Sequence, residues 1–184
     1  MSQTPSTMIE LGTTAPDFLL TDTISGNKIK LTDVSSDLAT VIMFICNHCP
    51  YVKHINNKLV NVASEYQLKG ISFVAISSND AVNYPEDGPD KMKEYAIELG
   101  YPFPYLYDES QEIAKAYNAA CTPDFYIYDK ELKLVYRGQF DESRPKNDIP
   151  VTGNDIRNAL DNILAGKEVS INQKPSIGCN IKWK

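Results

Sequence analysis

The chain has 184 residues, 42% of them hydrophobic and 23% charged, with a formal net charge of −6. That length supports one domain with a sizeable core, and the acidic balance argues against a nucleic-acid partner. No apolar run approaches the roughly 18 residues of a membrane helix, and "MSQTPSTMIELG" at the start has neither a basic stretch nor an apolar core, so the sequence predicts no signal peptide, no membrane partner and a cytoplasmic location.

Residues 15–31, "APDFLLTDTISGNKIKL", read as two short strands around the turn Ser25-Gly26-Asn27. Residues 39–45, "ATVIMFI", are an almost unbroken apolar run rich in β-branched side chains, the pattern of a strand buried on both faces. Val52, Ile55, Leu59, Val62 and Tyr66 then recur at three- and four-residue spacing, an amphipathic helix ending near Gly70. Residues 71–77 repeat the buried-strand pattern. "NDAVNYPEDGPD" reads as a polar loop, residues 90–99 as a helix up to Gly100, "YPFPYLY" as aromatic packing, and residues 111–117 as another short helix. "DFYIYD" and "KLVYRG" read as paired strands, residues 155–164 as a last helix, and "INQKPSIGCNIKWK" as a tail. Strands alternating with helices predict an α/β fold, a central mixed sheet covered by helices.

Four cysteines stand at 46, 49, 121 and 179. In a reducing compartment paired cysteines are more often catalytic or metal-binding than permanently cross-linked. A helix beginning just after Ile45 puts Cys46 at its N-terminus, where unpaired N–H groups carry about half a positive charge. That charge should hold the Cys46 thiol below its ordinary value of about 8.5, and the thiolate is the attacking species. Cys49, one turn on, should face inward and close the disulfide. His48 between them should add positive charge near neutral pH and, by favouring the reduced pair, make it a better oxidant. Two blander readings use the same residues. One is a zinc site, for which a second closely spaced Cys/His pair is missing; the other is a pair of inert buried thiols. His54 reads as a helix-surface residue, and Arg137 as a strand-edge residue or a border of the site.

Taken together, these residues resemble a thioredoxin-like protein of the peroxiredoxin-like group (redoxin, alkyl hydroperoxide reductase/thiol-specific antioxidant). "GTTAPDFLLTDTISG" is similar to the opening hairpin of redoxins, "FICNHCPYV" occupies the active-site position, and "IAKAYNAACTPDFYIYD" resembles the segment with the thioredoxin-type cis-proline. Gly138 in "LVYRGQFD" fits the hairpin that follows. The resemblance implies a thioredoxin-like fold with an N-terminal β-hairpin extension, in a single domain over residues 1–184. Residues 1–14 would be an arm and residues 168–184 a tail carrying Cys179. It implies a cis bond before Pro123, with Thr122 presenting its backbone to an extended substrate. The chain departs from the pattern at several places. Ile45 and Thr40 stand where thioredoxins have Trp and a buried Asp. With Cys49 aligned on the peroxiredoxin cysteine, Ile42, Cys46 and Pro123 stand where that family has Pro, Thr and Arg.

The expected function is thiol-disulfide exchange: Cys46 attacks, Cys49 resolves, His48 assists, and Thr122-Pro123 holds the substrate. Cys121 and Cys179 are candidate additional redox residues, the tail thiol pairing with Cys121 or Cys46. No metal or organic cofactor is expected; the partners are a protein or small-molecule disulfide and a dithiol electron donor. Thiol-dependent peroxide reduction is the enzymatic alternative, and a zinc-binding or redox-sensing module the non-catalytic one.

Overall fold

A computed structural model describes residues 3–184. In chain order the elements are β1 (Gln3–Pro5), β2 (Leu19–Asp22), β3 (Lys28–Lys30), the short helix α1 (Leu31–Val34) and β4 (Ala39–Phe44). The long helix α2 (Pro50–Gln67), β5 (Ser72–Ser77), a 3-10 turn over Pro85–Asp87, α3 (Pro89–Leu99) and β6 (Tyr105–Tyr107) follow. The chain ends with α4 (Glu112–Ala116), β7 (Cys121–Thr122), β8 (Asp124–Asp129), β9 (Leu134–Gly138), α5 (Asn154–Leu164) and β10 (Ile177–Asn180).

Seven strands form one sheet in the order β3-β2-β6-β5-β4-β8-β9. β4, β5 and β6 run parallel, which requires crossovers, and α2 and α3 supply them. The flanking pairs are antiparallel, so the sheet is mixed, as the pattern predicted. The unbroken apolar run of β4 has a simple cause. Val41 and Met43 join the cluster that holds Val52, Leu59 and Val62 of α2. Ile42 and Phe44 point the other way, into a cluster with Ala114 and Tyr117. Each large side chain buried on α2 contributes roughly 1.5–3 kcal/mol, so packing of this stripe, more than intrinsic propensity, holds the helix.

A second, three-stranded antiparallel sheet has the order β1-β10-β7. The tail therefore enters the fold as a strand, with Ile181 buried behind it, while Trp183 stays 42% exposed. Single-chain patterning missed β1, β6, β7 and β10, all two to four residues long and paired with partners far away in the chain. The expected hairpin is present but shorter than residues 15–31. Asp22 turns it by accepting the backbone N–H of Ser25 and Ile24, and Gly26 supplies a φ of 79°.

Candidate active site

The start of α2 is the first correction. The helix begins at Pro50, not after Ile45, and its N-cap is Cys49 with φ −66 and ψ 121. Pro50 is the cause: it suits the first helical position because it has no N–H to leave orphaned, and it pushes the preceding residue out of the helical region. The helix N-terminus consequently acts on Cys49. Cys46 lies between the end of β4 and the bend at Asn47-His48 that precedes the helix, and it is 1% exposed.

This shift moves the negative charge. Cys46 and Cys49 hydrogen-bond each other, and Cys49 is lowered to about 5, chiefly by that bond. Burial opposes the effect, while contacts from Cys179, the Thr122 side chain and the Val52 backbone N–H add to it. Cys46 is raised, by the same bond first, then by burial and the nearby Asp87 charge. The Cys49 Sγ also lies 3.1 Å from the Thr122 carbonyl oxygen, a contact that only its thiol form makes as a donor. The donors outnumber that single acceptor, so the Cys49 thiol is held down and the Cys46 thiol up. The expected depression of Cys46 is thereby reversed.

His48 does not serve as a cation for Cys46 either. Its Nδ1 lies 2.5 Å from Asp87 Oδ2, and this hydrogen bond raises its pKa. Asp87 is fully buried, and it also accepts the backbone N–H of Asn47 and His48 and the Asn79 side-chain amide. The imidazolium is thus neutralised by a carboxylate, and together they pin the loop between the cysteines. Asp87 lies in what the sequence showed as a polar loop; its only signal was an acidic residue just ahead of a Gly-Pro helix start. The donor atoms of Cys46, His48 and Asp87 lie within 4.8 Å of one another. Tetrahedral zinc takes four ligands, and two members of this trio already bond each other. An open depression of about 410 Å³, lined by Asn47, His48, Lys53, Glu86 and Tyr95 among others, borders the loop.

Thr122-Pro123 comes to the same place. The bond is cis, as the resemblance implied, and the Thr122 hydroxyl is 3.4 Å from Cys46 Sγ. The expectation that Thr122 offers a vacant backbone edge is corrected: that edge pairs with the chain's own β10, Cys179 standing opposite Thr122 and Asn180 opposite Cys121. Residues directly opposite on antiparallel strands share a face, and neighbours alternate. Cys179 therefore lies with Thr122 on the side of Cys46 and Cys49, all three within one cluster. Cys121 takes the other side, near Asp124 and Arg137, and burial pushes its thiol up. Arg137 is fully buried rather than solvated, although its strand β9 is the last of the seven-stranded sheet. It sits 3.0 Å from Asp124 Oδ2 and donates to the carbonyls of Thr7 and Asn118. His54 is half-buried and contacts the Ser143 hydroxyl at 2.7 Å.

The profile of the AhpC/TSA family matches residues 11–137. The chain belongs to the AhpC/TSA family. It is 27% identical over 139 residues to a thiol-disulfide oxidoreductase ResA from Geobacillus kaustophilus, a match covering 73% of this chain and 74% of that protein. The crystal structure of an uncharacterized conserved protein from Geobacillus kaustophilus superposes with a TM-score of 0.99 at 65% identity, over 100% of this chain and 97% of that one. Peroxidoxin BcpB from Mycobacterium tuberculosis shares the fold, with a TM-score of 0.64 at 18% identity, over 86% and 98% of the two chains. The fold is thus thioredoxin-like, and this family membership supports oxidoreductase activity on thiols or disulfides. No helix among the described residues is long and apolar enough to cross a membrane.

Proposed function

We propose that the protein is a thiol-disulfide oxidoreductase working through Cys46 and Cys49. The observation that carries this reading is the geometry: Cys46 Sγ 3.4 Å from the Thr122 hydroxyl and Cys49 Sγ 3.1 Å from the Thr122 carbonyl, both beside the cis Thr122-Pro123 bond. As Cys46 Sγ attacks a substrate disulfide, Cys49 accepts its proton. The substrate's first sulfur leaves as a thiolate and takes that proton back from Cys49. The Cys49 thiolate then attacks Cys46 in the mixed disulfide, closing the Cys46–Cys49 bond and expelling the second substrate thiolate. Cys49 thereby does what the buried Asp, replaced by Thr40, does not do here. A dithiol donor reverses the steps, and a reducing compartment such as the cytoplasm belongs to the same proposal.

A peroxidase reading draws support from the lowered Cys49 thiol, at the position aligned with the peroxiredoxin cysteine. Against it, Pro123 stands where the peroxide-binding Arg would be, and Arg137 is committed to Asp124 and two backbone carbonyls. Stopped-flow oxidation of the reduced protein by a small disulfide and by hydrogen peroxide separates the two. The expected result is faster reaction with the disulfide, a Cys46–Cys49 bond by mass spectrometry, loss of turnover in Cys46→Ser and trapped mixed disulfide in Cys49→Ser. Normal reductase activity in Cys46→Ser would sink the proposal. Faster oxidation by peroxide, with a sulfenic acid on Cys49, would favour the alternative.

A further inference from the structure

The groove beside the cis-proline is filled by the chain's own C-terminus. β10 lies between β1 and β7 and pairs with both, Gln3 and Thr122 standing on either side of Cys179. Gly178 passes so close to the Thr122 peptide that a Cβ there would come within 2.0 Å of the Thr122 carbonyl oxygen and 3.2 Å of the Pro123 nitrogen. A glycine is what lets this backbone lie against Thr122-Pro123. The residues after it fasten the strand. The Ile181 N–H donates to the Ala120 carbonyl, the Lys182 N–H to Asn79 Oδ1, and the Gln111 amide to the Lys182 carbonyl. Strand addition is a general way for an extended peptide to bind a sheet edge, and here the added strand is internal.

The register then decides which sulfur Cys179 meets. Thr122 Oγ1 contacts Cys46 Sγ and the Thr122 carbonyl contacts Cys49 Sγ. Cys179, directly across from Thr122, shares their cluster, whereas Cys121 is on the opposite face. Hydrogen bonding between the Cys179 and Cys49 side chains agrees with that placement.

We propose that β10 is a tethered internal substrate and that Cys179 is a third redox residue, exchanging with Cys49 so that the protein has two alternative disulfides, Cys46–Cys49 and Cys49–Cys179. This rests on the Cys46/Cys49 reading above and extends it. The step conserves atoms and electrons. In the oxidised protein the Cys179 sulfur, having lost its proton, attacks Cys49 Sγ; the S49–S179 bond forms, the S46–S49 bond breaks, and Cys46 leaves as a thiolate that takes up a proton. No net oxidation occurs, so no further oxidant is needed. The oxidising equivalent moves from the cysteine pair onto the tail strand, and Cys46 returns to its reduced form while β10 is locked in the groove.

The test uses the full chain carrying Cys46→Ser, with Cys46→Ala as a second variant, and diamide as oxidant. Diamide accepts two electrons and two protons from a thiol pair, so no protein substrate is involved. After acid quench, alkylation and peptide mapping, the expected product in both variants is an intramolecular Cys49–Cys179 disulfide in most molecules, absent when Cys179→Ser is added. Cys49 left reduced, carrying an intermolecular partner, or bypassed by a Cys121–Cys179 bond would overturn the proposal. Wild-type protein is mapped in parallel. If it fails to form Cys46–Cys49 while the variants still join Cys49 to Cys179, the pair mechanism and the exchange built on it both fail; Cys46–Cys49 in the wild type without Cys49–Cys179 in the variants overturns the tail assignment alone.

Discussion

Asp87 shows how much of the site depends on one side chain that the sequence pattern did not single out. His48 stood out because it lies between two cysteines, but its charge partner is 39 residues away, and only folding brings the two together. The pair also makes the site pH-sensitive in a definite direction. His48 is raised by Asp87, so its contribution to stability is complete below about pH 6.5, the unfolded value, and is lost as pH rises through the folded value. Burial by itself would raise Asp87, but the hydrogen bonds from His48, Asn79 and the Asn47 N–H and the His48 charge together outweigh it and lower the carboxyl, so its own contribution is lost as pH falls through its folded value. Both charges are thus in place in mildly acid solution. Asp87→Asn should lower stability by about 2 kcal/mol near pH 6, the scale of a hydrogen bond to a charged group, and by clearly less near pH 9. Denaturant melts at the two pH values measure this. An equal loss at both would mean that the carboxylate serves only as a neutral-type acceptor for the loop N–H groups.

At the scale of elements, the long ones were legible and the short ones were not. β4, α2 and β5 announce themselves because six or more residues repeat one periodicity, and the structure contains each. The start of α2 was misplaced although Cys49-Pro50 carried the signal, because the cysteine spacing drew attention four residues too early. That small displacement put the helix N-terminus at Cys49, whose thiol is lowered, and left Cys46, whose thiol is raised, outside it. β7 and β10 have two and four residues and no periodicity of their own; they are strands only because they pair. Their pairing predicts what Gly178→Ala does. A methyl placed 2.0 Å from a carbonyl oxygen forces β10 away from β7, with strain of about 1–3 kcal/mol as for other overpacked sites. Every 1.4 kcal/mol raises the open population about tenfold, so Cys49 should be alkylated about fivefold to a hundredfold faster than in the wild type. Iodoacetamide labelling with peptide mapping reads that rate, and an unchanged rate would show that β10 does not shield the pair.

Across the whole molecule, Arg137 ties the segments that frame the site. It lies on β9, reaches the Thr7 carbonyl of the N-terminal arm and the Asn118 carbonyl ahead of β7, and pairs with Asp124 directly after Pro123. Its guanidinium also covers the Tyr126 ring at 3.8 Å. In the sequence it is one basic residue in "KLVYRG", where alternation alone suggests a solvated edge; nothing local reveals an acidic partner on the neighbouring strand or acceptor carbonyls 19 and 130 residues away. Burying two charges is unfavourable unless each satisfies the other, and removing one partner of such a pair costs about 3–5 kcal/mol. Asp124 already shows the strain of burial, which pushes it up to about 6 with Arg137 only partly opposing. Arg137→Met keeps much of the volume and removes the charge, so Asp124 must either stay ionised alone or bind a proton. A carboxyl whose folded pKa is raised imposes no penalty below about pH 3.9, where it is protonated folded and unfolded alike, and its full penalty above the folded value. Arg137→Met should therefore destabilise the protein by about 3–5 kcal/mol near pH 8 and by markedly less near pH 5, in chemical denaturation followed at both. A loss independent of pH would assign Arg137 to packing against Tyr126 and the arm, with the ion pair contributing nothing.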